Sequence, residues 1–250
     1  MAETDAIHSP PKAPAAGASQ GGRASPRKET AGGVATRDFI MDVATDLFGQ
    51  YGYRGVTVRQ LTLAAKVNLG AITYHFGGKE ELYRRTVESL MADIGGLIGA
   101  PIAGLLGAVA EAQGGRAALQ AAAEGFIGRW AQLVLANPDV QRRLPVLAME
   151  LVSPTPAFPL IYEGFYRRLY DAVGALVSAV LGPDLTPLEL SVRVHGVASL
   201  MLGFVANERV LWRSLDWEGY TPDRVAALTP HLRAVFLGAV GLSPGSHTLV

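Results

Sequence analysis

The chain has 250 residues, enough for one large or two small domains, and about half of them are hydrophobic. Lys+Arg and Asp+Glu both number 22, which argues against a partner held by bulk charge and leaves a local patch as the means of meeting a polyanion. Cysteine is absent, so disulfide frameworks, thiolate metal sites and cysteine nucleophiles are excluded together.

Residues 1–33 are mostly Ala, Pro, Gly and Ser without an aromatic residue. Such a segment buries too little apolar surface to offset its ordering entropy and is expected to be a disordered tail. It shows no basic-then-apolar-then-small pattern of a signal peptide. From Thr36 the pattern turns helical, with Ile40, Val43, Ala44, Leu47, Phe48 and Tyr51 at three- and four-residue steps. Gly52 stands where a helix C-terminal glycine is expected. Thr57 can cap a second helix carrying Val58, Leu61 and Ala65, and Asn68 a third in which Leu69, Ile72 and Phe76 share one side. Three short helices with turns this tight make a helix-turn-helix unit.

Gly77 and Gly78 stop the third helix, and Lys79 opens the next with acids in its first turn. No strand alternation follows. Helices are expected near 102–112, 116–136, 142–152, 159–181, 186–213 and 222–241. The most apolar run, Gly95–Ala110, is glycine-rich, contains Pro101 and falls short of a bilayer span, so the expectation is a soluble cytoplasmic protein.

The stretch "NLGAITYHFGGKEEL" (Asn68–Leu82) mixes features of several sites. A phosphate loop requires GxxxxGK[ST] after a strand, whereas Glu80 follows Lys79 here and helices flank both sides. A catalytic histidine needs a nucleophile or an orienting carboxylate, and none lies near His75 in sequence. His195 and His231, isolated on apolar helices, read as core or interface residues. Neither a catalytic nor a metal site is expected, and no cofactor. If Leu69, Ile72 and Phe76 face inward, then Gly70, Ala71, Tyr74 and His75 face out, either as ordinary surface or as a helix laid in a major groove. Small residues near its N-terminus permit close approach, and a methyl group can touch thymine. Tyr74 and His75 can donate to phosphates, and Lys79 sits at a helix N-terminus that attracts them.

The sequence "TRDFIMDVATDLFGQYGYRGVTVRQLTLAAKVNLGAITYHFGGKEELY" resembles, without a gap, the DNA-binding domain of TetR/AcrR-family repressors. Its departures are Lys66 for the usual turn glycine, Leu61-Thr62 for Ile-Ala, and Thr73 for a tyrosine. "LPVLAMELVSPTPAFPLIYEGF" and "GFVANERVLWRSLDW" carry a weaker resemblance to the branch with a CecR-type C-terminal domain. The resemblance implies an all-α protein with a helix-turn-helix domain over 34–82 and a helical effector-binding and dimerisation domain over 83–250. It further implies a homodimer on a palindromic double-stranded DNA operator, released by a small-molecule effector, with no membrane partner. By motif position it assigns DNA contacts to Thr57, Arg59, Gly70, Ala71, Thr73, Tyr74, His75 and Lys79.

Helices near 186–206 and 222–241 are the expected dimer pair, through Leu200, Phe204, Leu232, Val235 and Phe236. Effector walls are expected from Phe126, Trp130, Met149, Phe158, Tyr162 and Phe165, with Arg129 and Glu150 as polar contacts. The alternative is an all-helical small-molecule-binding or catalytic protein with a degenerate DNA-binding head. Seven bases against six acids within 36–90 leave that head slightly positive.

Overall fold

A computed structural model describes residues 31–242. Most of the expected tail, residues 1–30, lies outside the described residues, and its last three residues already belong to the first helix. Eleven α-helices follow one another, and no strand occurs among the described residues.

Helix α1 (Ala31–Gly55) buries Ile40, Ala44 and Phe48, and Gly52 breaks its helical path at φ 68°. Helix α2 (Val58–Ala64) starts from a reciprocal cap. Thr57 Oγ1 accepts from the Gln60 amide at 3.2 Å, and the Gln60 side-chain oxygen accepts from the Thr57 amide at 2.7 Å. Helix α3 (Leu69–Phe76) is capped by Asn68 and ends on Gly77 in the left-handed region at φ 75°. Between α2 and α3, Lys66 adopts φ 52°, the conformation that glycine takes without strain.

Helix α4 (Lys79–Ala112) runs unbroken through Pro101, so the helix expected near 102–112 is its second half. The expected boundary at 82/83 falls inside this helix, at the end of its first turn. By length and composition α4 and the later helix Pro187–Ala206 could each cross a bilayer. Here, however, Leu90, Ile94, Ile98, Ile102 and Leu105 of α4 join the core, and the helix packs against the helices Arg116–Trp130 and Arg167–Leu181.

Helix α5 (Arg116–Trp130) passes into a π-helical segment (Ala131–Leu135). Helix α6 (Pro138–Val152) begins four residues earlier than expected, because Asn137 caps it and Pro138 occupies a first-turn position where no amide is needed. Short α7 (Phe158–Ile161), a second π-helical segment (Tyr162–Tyr166) and α8 (Arg167–Leu181) are continuous. Helix α9 (Pro187–Ala206) stops at Asn207, before α10 (Glu208–Leu215), so the stretch 186–213 is two helices. Helix α11 (Pro222–Ala239) closes the body.

The head is seated on the body by α1 against α6 and α4. Gly49 lies where an added Cβ would come within 3.3 Å of Pro145, so the two helices approach closely. Arg142 grips Asp46 through both carboxylate oxygens, at 2.5 and 2.9 Å, and Arg143 pairs with Asp93. These pairs are largely exposed, and their contribution is at most about 1 kcal/mol each.

Candidate nucleic-acid interface and small-molecule cleft

Two buried residues one turn apart, Ile72 and Phe76, anchor α3, and this orientation exposes Gly70, Thr73 and Tyr74. Tyr74 is 75% exposed, its ring edge-on to His75 at 5.0 Å between centroids. Ala71 is half-buried. Leu69, expected inward, is instead 63% exposed. A helical side chain lies over the turn on its N-terminal side, and the first residue of a helix has no such turn to cover.

The DNA-contact candidates differ in what their polar groups already do. Arg59 is exposed on α2. The Thr57 hydroxyl donates to Gln60 Oε1 at 2.8 Å, so a contact to another group competes with the α2 cap. Thr73 Oγ1 makes only a long bond, 3.4 Å, to the Leu69 carbonyl and can turn outward. His75 is half-buried, and its Nδ1 has no hydrogen-bond partner. Lys79 Nζ rests over the Tyr53 ring, 4.2 Å from its centroid, and partial burial lowers its pKa. Thr57, Arg59, the outer side of α3 and Lys79 thus belong to one small head.

Behind Lys79, Tyr53, Phe48 and Tyr83 form an aromatic cluster with centroids 4.8–4.9 Å apart around Tyr83. The Tyr83 hydroxyl donates to Glu150 Oε1 at 2.5 Å, and the Thr155 amide donates to Glu150 Oε2 at 3.0 Å. Glu150 is 1% exposed. The residue expected as a polar effector contact therefore ties α6 and the 153–157 loop to the start of α4. Sequence spacing gave no sign of this, since the partners are 67 positions apart. Met149 likewise faces Gly52, its Sδ 3.7 Å from where a Cβ would stand.

The expected effector walls divide between two places. Phe126, Trp130 and Phe165 are buried between α4, α5 and the second π-helical segment, around voids of only about 10–20 Å³. Arg129 lines neither void: it is exposed beside Gly104 and Gly125 of α4 and α5. Phe158 and Tyr162 line a separate cleft of about 330 Å³ between α8 and α9, together with Tyr166, Tyr170 and His195. Tyr170 Oη and His195 Nδ1 are 2.7 Å apart. His195 is therefore neither core nor isolated, and His231 is exposed. Tyrosines at 162, 166 and 170, four residues apart, were the available sequence signal. Burial, and secondarily the neighbouring Tyr170, pushes the Tyr166 hydroxyl up to about 12; burial also raises Tyr170, with Tyr162 adding to it.

The expected dimer residues also divide. Leu232 and Phe236 lie within the chain's own core at 1% and 0% exposure, the Phe236 ring 6.0 Å from Phe126. Phe204 is half-buried against the core and Leu200 half-buried, while Val235 is 50% exposed. The outer faces carry Leu188, Val192 and Gly196 on α9, and Ala227, His231, Ala234, Val235 and Gly238 on α11.

The family model described as "Bacterial regulatory proteins, tetR family" matches residues 40–86, and that for the HTH-type transcriptional dual regulator CecR, C-terminal domain, matches residues 117–240. The HTH-type transcriptional dual regulator CecR of Shigella flexneri is 24% identical over 203 residues, covering 80% of this chain and 90% of that one. The HTH-type transcriptional repressor AcnR of Corynebacterium efficiens is 44% identical over 50 residues, 20% of this chain and 27% of that protein. Among solved structures, a TetR-family regulator from Mesorhizobium loti MAFF303099 superposes with a TM-score of 0.50 at 19% identity, over 86% of this chain and 98% of that one. AibR, solved with isovaleryl coenzyme A and operator DNA, gives 0.54 at 13% identity, over 83% and 97%. At such identities the superpositions establish the fold.

Proposed function

The chain belongs to the TetR family of DNA-binding transcriptional regulators, in the branch with a CecR-type C-terminal domain, and from this premise we propose that it is a homodimeric repressor of the bacterial cytoplasm, released from a palindromic operator by a small molecule. The observation that carries the reading is the exposed side of α3, where Gly70, Thr73 and Tyr74 stand clear of a body held by Ile72 and Phe76.

In this proposal Gly70 and Ala71 let the α3 backbone approach base edges, and Arg59 is the long base able to form a bidentate contact with guanine. Thr73, Tyr74 and His75 meet phosphates. Because His75 Nδ1 finds no acceptor where it is buried, the favoured tautomer carries its proton on Nε2, the donor a phosphate oxygen needs. Lys79 adds a charge at the N-terminus of α4, where the free amides also attract phosphate. Thr57 acts through its cap, by fixing the α2 orientation that aims Arg59.

A palindrome needs two heads related by a two-fold axis. The outer face of α11 and the exposed N-terminal half of α9, with Leu188 and Val192, are proposed as the isologous surface, with Val235 at it and Leu232 and Phe236 supporting it from within, while the C-terminal half of α9 lines the cleft. The effector is placed in the cleft between α8 and α9. Leu151 of α6 and Phe158 of α7 line that cleft, and the loop joining those helices holds Glu150, which in turn holds Tyr83 at the root of the head. A ligand that shifts this loop biases the spacing of the two heads, and operator must weaken the ligand by the same factor.

The test is a gel shift of the purified chain on DNA from upstream of its own gene across a salt series. Binding with dimer stoichiometry that weakens steeply with salt is expected. Absence of such binding would refute the proposal.

A further inference from the structure

The cleft between α8 and α9 is elongated, and its lining is uncharged. Its lining follows α9 from His195 to the C-cap residue Asn207, twelve residues or about 18 Å along the helix axis. Phe158, Tyr162, Tyr166 and Tyr170 form the opposite wall, and no Lys, Arg, Asp or Glu side chain lines the space. Its volume of about 330 Å³ suits a small ligand. At the Tyr170–His195 end, one proton is spent within the pair whichever partner donates it. The pair still presents one free N–H or O–H and one free lone pair. An ion of either sign entering this cleft loses hydration without meeting a counter-charge. A cation recovers part of that loss from the ring faces, an anion none.

We propose that the cleft takes an elongated, uncharged, aromatic-bodied amphipath, with its polar end on the Tyr170–His195 pair and its body against Phe158, Tyr162 and Leu202. The proposal rests on the reading of this cleft as the effector site and adds the chemical class that it selects. Leu202 also lines the small void beside Trp130 and Phe165, so a change of its rotamer lengthens the cleft inward.

The matched probes are N-phenyl-1-naphthylamine and its 8-sulfonate, which share one skeleton and differ by a permanent negative charge. Both are titrated fluorimetrically into the full chain at physiological salt. Two plugs locate the binding. Gly203→Phe fills the cleft from an α9 position where an added Cβ meets nothing within 4 Å, and Ser199→Trp does so from an exposed position. The uncharged probe is expected to bind one per chain, at least tenfold more tightly than the sulfonate, and each folded plug variant is expected to weaken it at least tenfold. Equal binding of both probes, with both sensitive to the plugs, overturns the charge selection and leaves the effector site standing. Binding indifferent to the plugs, or none because a second copy fills the cleft, overturns the site as well.

Discussion

Replacing Tyr83 by Phe removes one buried hydroxyl and little else. The ring keeps its packing on Phe48 and Tyr53, 4.8 and 4.9 Å away, so no cavity forms. Glu150, 1% exposed, keeps the Thr155 amide on Oε2 and loses the donor at 2.5 Å on Oε1. A buried acceptor left without its partner costs about 1–3 kcal/mol, so the variant should be destabilised by about 2 kcal/mol. For a chain of this size that lowers the melting temperature by about 4–8 °C. A second signature lies on the alkaline side. Burial, and then the Glu150 carboxylate, raise the Tyr83 hydroxyl above its ordinary value of 10.0, so the folded chain keeps a proton that the unfolded chain releases. The stability tied to this proton is complete below pH 10 and is lost as the pH climbs above it, with a slope of about 1.4 kcal/mol per pH unit. Tyr166, Tyr170 and Tyr220, also raised chiefly by burial, contribute in the same direction. Urea unfolding of wild type and Tyr83→Phe from pH 7 to 11 measures both quantities. The reasoning fails if the variant loses less than about 0.5 kcal/mol at pH 7, within the range of an indifferent surface change, or if its alkaline slope equals that of wild type.

Lys66→Gly should raise stability by about 0.5–1 kcal/mol, because it relieves a left-handed backbone at φ 52° in the turn; thermal unfolding reads this, and a loss of stability would mean that the lysine makes compensating contacts. Phe236→Ala should cost about 3–5 kcal/mol through a core cavity. Val235→Asp, one position away and half exposed, should leave monomer packing intact and shift sedimentation from dimer to monomer; an unaltered dimer would move the interface elsewhere. Arg59→Ala should relax sequence preference on operator variants, whereas Lys79→Ala should weaken all sequences alike and reduce the salt slope by about one charge. Equal loss on every sequence for both would refute the division of roles between them.

Much of the head was legible because its determinants are local. Thr57 with Gln60, Asn68 and Gly77 act within three or four residues, and a cap or stop at that range reads the same in a sequence as in a fold. The unusual Lys66, noted as a departure at the turn, does occupy the strained conformation. The C-terminal half was legible as helices and much less as a site. Its apolar residues recur so densely that periodicity does not say which side of α11 turns inward: Phe236 and Val235 look equally fit for an interface, and packing against Phe126 decides that Phe236 is the buried one.

What the sequence determined by itself is an all-helical chain with a capped, tightly turned three-helix head, since hydrogen bonds and caps that span three or four residues need no distant partner. Only the tertiary structure decided that Glu150 accepts from Tyr83, and that Tyr170 and His195 share a cleft. Those pairings join positions 67 and 25 residues apart, and it is the packing of α4 on α6 and of α8 on α9, not the pattern along either helix, that brings them within hydrogen-bonding distance.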